Sequence, residues 1–168
     1  MAGDSGLIWG VRAQFTDYVQ RTGGTVSFGG ATTWEDGRFR FPAVRTTSGA
    51  AGVRLEFAGE VLYQGHGGLL RLGFCDPWVD LSGAGIQLSV DADGRRTVLG
   101  VAGPDVVPEV RDGARRSIPL TLAGDGVGLF GGVYAEGLEL DPIDLALPTG
   151  ADTPQEPAAI PVDRVTTA

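Results

Sequence analysis

The chain has 168 residues, 42% of them hydrophobic, with 28 glycines, 10 prolines and a formal charge of −8, which suits one domain with a sizeable core built from short strands and frequent turns. The acidic balance excludes a nucleic-acid partner, because phosphate binding needs clustered basic residues. All thirteen basic residues are arginines, so no Schiff-base or P-loop lysine is available. A single cysteine, Cys75, excludes an internal disulfide, a multi-cysteine zinc site and an iron–sulfur cluster.

In chain order, Ile8, Val11, Phe15, Tyr18 and Val19 form one apolar stripe at helical spacing between Leu7 and Arg21. This is the one helix the sequence predicts, ended by Gly23-Gly24, although Leu7-Ile8-Trp9 before Gly10 reads equally well as a strand. From Thr25 the period becomes two, as in Arg38-Phe39-Arg40-Phe41 and Val53-Arg54-Leu55-Glu56-Phe57. Further strands are expected near 61–64, 69–74, 77–81, 85–91, 96–102 and 117–122, with turns at Ser82-Gly83 and Asp93-Gly94. The stretch 104–116, with two prolines and little periodicity, predicts a long surface loop. A glycine-rich apolar run from Leu129 to Tyr134 leads to Leu140-Asp141-Pro142-Ile143, which is suited to closing the sheet, and from Pro148 the composition predicts disorder.

The fold class expected is therefore all-β, sandwich-like with two antiparallel sheets and one short N-terminal α-helix. Residues 5–147 are expected to form the domain and 148–168 a Pro/Ala/Thr-rich disordered tail. No stretch approaches the ~20 apolar residues of a membrane helix, and the N-terminus lacks the basic and apolar regions of a signal peptide. As written, the sequence expects a soluble, cytoplasmic protein.

Few residues stand out for chemistry. His66 is the only histidine; in Gly65-His66-Gly67-Gly68 it reads, taken alone, as an exposed turn residue. No Gly-x-Ser-x-Gly elbow exists for a serine hydrolase. Asp91-Ala92-Asp93-Gly94 resembles the start of a calcium loop but lacks the later ligands, so it reads as a hairpin turn. The carboxylates include no pair that spacing selects for glycoside hydrolysis. Trp34 and Trp78 suit a sugar platform or ordinary packing, and Cys75 reads as a small buried hydrophobe. Tyr18 lies on the helix edge beside Phe15, and its hydroxyl needs a partner if buried. On these residues alone, a cofactor-binding domain, a β-sandwich carbohydrate or protein interaction module without cofactor, and an enzyme using carboxylates or His66 all stay open.

Four blocks taken together narrow the choice. They are Leu7-Ile8-Trp9-Gly10-Val11-Arg12 with Phe15 and Tyr18; Phe39-Arg40-Phe41-Pro42; Val61-Leu62-Tyr63-Gln64-Gly65-His66-Gly67-Gly68 running to Phe74 and Asp76-Pro77; and Phe130-Gly131-Gly132-Val133-Tyr134-Ala135-Glu136-Gly137 followed by Leu140-Asp141-Pro142. In order and approximate spacing they resemble the HtaA-domain family, haem-binding modules of actinobacterial haem-uptake proteins. The resemblance implies a non-enzymatic β-rich domain that binds ferric haem b, with Tyr18 as iron ligand and His66 bonded to that tyrosine. It also implies that the aromatic block near Phe130 and Tyr134 packs on the porphyrin, and Phe15, Val19 and Val133 suit the rest of the apolar wall that a flat porphyrin needs. The implied partners are haem and another haem-carrier protein. Tyrosinate is a hard anionic oxygen ligand suited to ferric iron. A free phenol has a pKa near ~10, so an imidazole N–H donating to the oxygen would favour the charged ligand. Arg12 and Arg21 are both in reach of haem propionates, although each alone reads as a solvated surface charge. Family members in haem uptake are exported or anchored, so the resemblance implies a cell-envelope or secreted location where the sequence as written implies a cytoplasmic one.

Overall fold

A computed structural model describes residues 5–106, 109–111 and 115–146; the expected tail at 148–168 lies outside them. In order, the elements are β1 (Gly6–Trp9), α1 (Ala13–Arg21), β2 (Thr25–Gly29), β3 (Thr33–Glu35), β4 (Arg38–Gly49), β5 (Gly52–Phe57), β6 (Glu60–Gly65), β7 (Leu70–Ser82), β8 (Gly85–Ala92), β9 (Arg95–Ala102), β10 (Glu109–Arg111), β11 (Arg115–Ile118), β12 (Thr121–Leu122) and β13 (Ile143–Ala146). Short 3-10 turns occupy His66–Gly68 and Gly124–Phe130. The all-β architecture with one short α-helix is the one the sequence predicts. Among the described residues no helix is long and apolar enough to cross a membrane.

The strands join in one antiparallel path, β10-β11-β13-β1-β4-β5-β7-β8-β9-β12, with β6 bridging β7 to β2 and β3 lying on β4. Two sheets were expected; two long strands instead pass from one part of the path to the next. The first part of β4 pairs with β1 and β3, and its remainder with β5. The first part of β7 pairs with β6, and its end with β5 and β8.

Both strands turn this corner at a bulge, between Ala43 and Arg45 and between Cys75 and Trp78. The second explains why the sequence reads β7 as two strands. Leu72 and Phe74 are buried, but after Asp76, whose φ is +47°, the buried phase moves to Pro77 and Val79. An extra residue in the strand keeps both halves facing the core, where unbroken alternation would turn one outward. Pairing of β10 with β11 also places strand structure inside 104–116, where a loop was expected.

One core cluster unites the path, with Leu7, Trp9, Phe39, Phe41, Tyr63, Leu72, Leu88, Leu99, Ile118, Phe130 and Ile143 all essentially inaccessible. The β8–β9 hairpin turns through Asp93 and Gly94, both at positive φ, with the Asp91 carboxylate accepting the Gly94 N–H at 2.8 Å. That is the turn chemistry Asp-Gly predicts, and among the described residues no three His, Cys, Asp or Glu converge to hold a metal ion.

Candidate functional site

The nine-residue α1 buries Phe15 and Val19 four positions apart, which leaves Tyr18 on the adjoining face, 41% exposed. Its start is fixed from the far end of the chain. Arg12 at the N-cap position makes no side-chain cap; the Asp141 carboxylate instead accepts the Ala13 N–H at 2.9 Å. The Asp141 carbonyl accepts the Trp9 indole N–H at 3.0 Å, and its own N–H donates to the Val11 carbonyl at 3.2 Å. Val11 sits at φ +66°, an uncommon conformation for a β-branched residue, and these contacts surround it. Gly10 leaves that carboxylate its place, since a Cβ there would lie 2.9 Å from the Asp141 Oδ2.

The end of α1 is set by β6. Thr16 Oγ1 and the Tyr63 hydroxyl share a hydrogen bond of 3.1 Å. Gly24 follows the helix, and a Cβ at that position would run into the Gln64 carbonyl and Val19. Only glycine lets the turn into β2 close this tightly on β6. Because β6 ends at Gly65, the next residue, His66, arrives beside the helix. His66 and the two glycines after it all have positive φ, at +51°, +65° and +98°, and the chain reverses tightly into β7.

The result is a hydrogen bond of 2.7 Å between the Tyr18 hydroxyl and His66 Nε2, with ring centroids 5.6 Å apart. The two residues that the sequence leaves 48 positions apart are therefore in direct contact. They open on a cleft of about 580 Å³, lined among others by Phe15, Leu70, Phe130, Val133, Tyr134 and Arg12, within the range of small-molecule sites.

The aromatic residues form tiers. Phe130 is fully buried and meets Phe15 edge-on at 5.2 Å; Phe15, 3% exposed, also packs on Tyr63 at 5.0 Å. Tyr134 lies half-buried above them, 5.5 Å from Phe130 and 6.2 Å from Phe15. After the 3-10 turn, Gly131 and Gly132 both adopt left-handed backbone, which sends Val133 outward at 75% exposure and folds Tyr134 back. Phe15 and Phe130 thus make the base, with Tyr134 and Val133 on the wall. Tyr63 completes the base, and burial pushes its phenol well above the usual tyrosine range.

Two residues that set the site, Asp141 and Tyr63, carry no local sequence signal for that task. Both occur in the blocks that carry the family resemblance, yet their partners lie 128 and 47 positions away. The other sequence candidates lie apart from the cleft lining. Trp78 carries two guanidinium groups over its ring, that of Arg54 at 4.4 Å and that of Arg96 at 3.9 Å from its centre. Trp34, 50% exposed, stacks at 6.4 Å on Phe28. Cys75 is partly buried rather than enclosed, and burial together with nearby Asp76, Asp91 and Glu60 raises its thiol pKa, disfavouring the thiolate.

Solved structures with the same fold include the N-terminal domain of HtaA from Corynebacterium glutamicum, 25% identical with a TM-score of 0.70, covering 89% of this chain and 99% of that one. The C-terminal domain of the same HtaA is 24% identical with a TM-score of 0.71, covering 84% and 93%. The heme binding protein HtaB from that organism is 18% identical with a TM-score of 0.60, covering 84% and 90%. No curated protein sequence matches. The HtaA family model matches residues 4–146, a span that holds every described residue, and the chain belongs to the HtaA family.

Proposed function

We propose that this domain binds ferric haem b without catalysing a reaction, with Tyr18 as the axial iron ligand and His66 as that ligand's hydrogen-bond partner, and serves haem uptake, transfer or buffering. The 2.7 Å Tyr18–His66 contact at the mouth of an aromatic cleft carries the reading. Family membership and the likeness to the heme binding protein HtaB support it.

The residues present fit such a group. The cleft supplies an apolar base and wall from Phe15, Leu70, Val133 and Tyr134 for a flat hydrophobic ring, and arginine in its lining offers a cation for anionic substituents. Bound haem supplies a ferric iron, a hard Lewis acid that takes an anionic oxygen. Tyr18 must lose its phenolic proton to serve it. His66 Nε2 is the atom placed to accept that proton, and once protonated it donates back to the phenolate oxygen. Phe15, packed against Tyr63 and Phe130, anchors the helix that carries Tyr18.

The test is spectroscopic. Ferric haem added to the purified protein is expected to give a tyrosinate-type absorption spectrum, and Tyr18→Phe to abolish it with the far-ultraviolet circular dichroism unchanged. An unaltered spectrum and affinity in Tyr18→Phe would refute the ligand assignment.

A further inference from the structure

The cleft inverts the charge of its molecule. The chain carries −8 overall, yet the cleft lining holds two arginines, Arg12 and Arg21, against one carboxylate, Asp17. The two arginines are held differently. Arg21 is exposed in the last turn of α1, and no contact of its side chain orients it among the described residues. Arg12 is half-buried; its guanidinium carbon lies 4.9 Å above the centre of the Tyr134 ring, and Nη1 donates to Gln14 Oε1 at 2.7 Å. Its Nε is shut off from solvent with no hydrogen-bond partner, and among the described residues no carboxylate pairs with it.

A partly desolvated guanidinium fixed over an aromatic face, with its charge unneutralised, is a preorganised receptor for a carboxylate. The side-chain entropy of aligning it has already been lost in the free protein. It stands six residues before Tyr18, about 9 Å along a helix axis. A ligand that reaches the Tyr18 oxygen with its centre can therefore reach Arg12 with an acidic arm.

Building on the haem reading, we infer that Arg12 is the carboxylate-binding residue of the cleft. It takes one propionate of the porphyrin and fixes the ring's rotation about the Tyr18 axis. Tyr134 holds the guanidinium from behind, so Tyr134 contributes to carboxylate binding as well as to the apolar wall. Arg21 is left to solvent.

The experiment compares ferric protoporphyrin IX with its dimethyl ester, whose acids are masked, on the full chain and on Arg12→Gln and Arg21→Gln, by quenching of tryptophan fluorescence. The wild-type protein is expected to prefer the free acid by about tenfold or more, as a charge-assisted bond implies. Arg12→Gln should lose that preference while keeping the tyrosinate spectrum with both porphyrins; Arg21→Gln should keep the preference, and Arg12→Lys should recover part of it. Equal wild-type binding of acid and ester, or loss of the preference in Arg21→Gln alone, overturns the assignment. Failure of the wild-type protein to bind either porphyrin overturns the haem reading itself, a distinct outcome.

Discussion

The junction between β1 and α1 makes a prediction that can be worked through as a double-mutant cycle. Gly10→Ala places a Cβ 2.9 Å from the Asp141 Oδ2, inside contact distance, while the next neighbour, Arg38 Cγ, stays at 3.4 Å. Gly10 does not have a positive φ, so the backbone itself accepts alanine. The carboxylate must swing away, and in doing so it releases the Ala13 N–H that it accepts at 2.9 Å. Loss of such a helix N-terminal bond costs about 1 kcal/mol. Asp141→Ala removes the same bond directly, leaving the backbone contacts of Asp141 to Trp9 and Val11 available. The two substitutions therefore share one loss, and the double variant should show a coupling energy of about 1 kcal/mol instead of additive costs. The effect of Gly→Ala on the unfolded chain occurs in both arms of the cycle and cancels. Urea unfolding followed by tryptophan fluorescence supplies the four stabilities. Strict additivity would mean that the carboxylate is not pinned on the helix, and the account of how Asp141 positions α1 would be wrong.

His66→Ala should weaken haem retention, read as faster transfer to apomyoglobin, with little change in melting temperature because the side chain is exposed; equal retention refutes its role as the partner of Tyr18. Tyr63→Phe deletes the buried hydroxyl bonded to Thr16 and should cost about 1 kcal/mol near neutral pH. That difference should shrink as pH rises past the ordinary tyrosine value of ~10: the unfolded chain then ionises Tyr63, the folded chain keeps it neutral, and only the wild-type protein loses stability by this route. A gap that widens with pH would contradict the burial argument. Phe15→Ala should destabilise the fold by about 3–5 kcal/mol, whereas Val133→Ala, on the exposed wall, should leave thermal unfolding unchanged and lower haem affinity; the reverse pattern would mean that base and wall have been misassigned.

Features set by near neighbours were legible in the sequence. The stripe Phe15, Tyr18, Val19 gives α1 its buried and open faces, and Asp93-Gly94 gives the β8–β9 turn. What depends on distant pairing was not. Asp76-Pro77 looks like a break between strands because the phase of burial changes there, and only the bulged register against β8 shows one strand. His66 reads as an exposed turn residue, which it is; nothing within Gly65–Gly68 indicates that Gly24 draws α1 down onto β6 and so supplies the imidazole with a phenol. Tyr18 and His66 entered as a pair through family resemblance, and the geometry then gave that pair a distance. Asp141 had no such introduction, because a helix cap borrowed from 128 residues away leaves no mark on the sequence around the helix.

The place of β13 between β1 and β11 also sets an order of events on the ribosome. Along one edge β1 waits for β13, the last of the described strands, and Asp141, which holds the start of α1, is translated only just before that strand. Until then α1 lacks that anchor, and β1 lacks one of its two neighbouring strands. The start of α1, beside Arg12 and Phe15 of the cleft lining, is therefore secured only when that distant segment has been made.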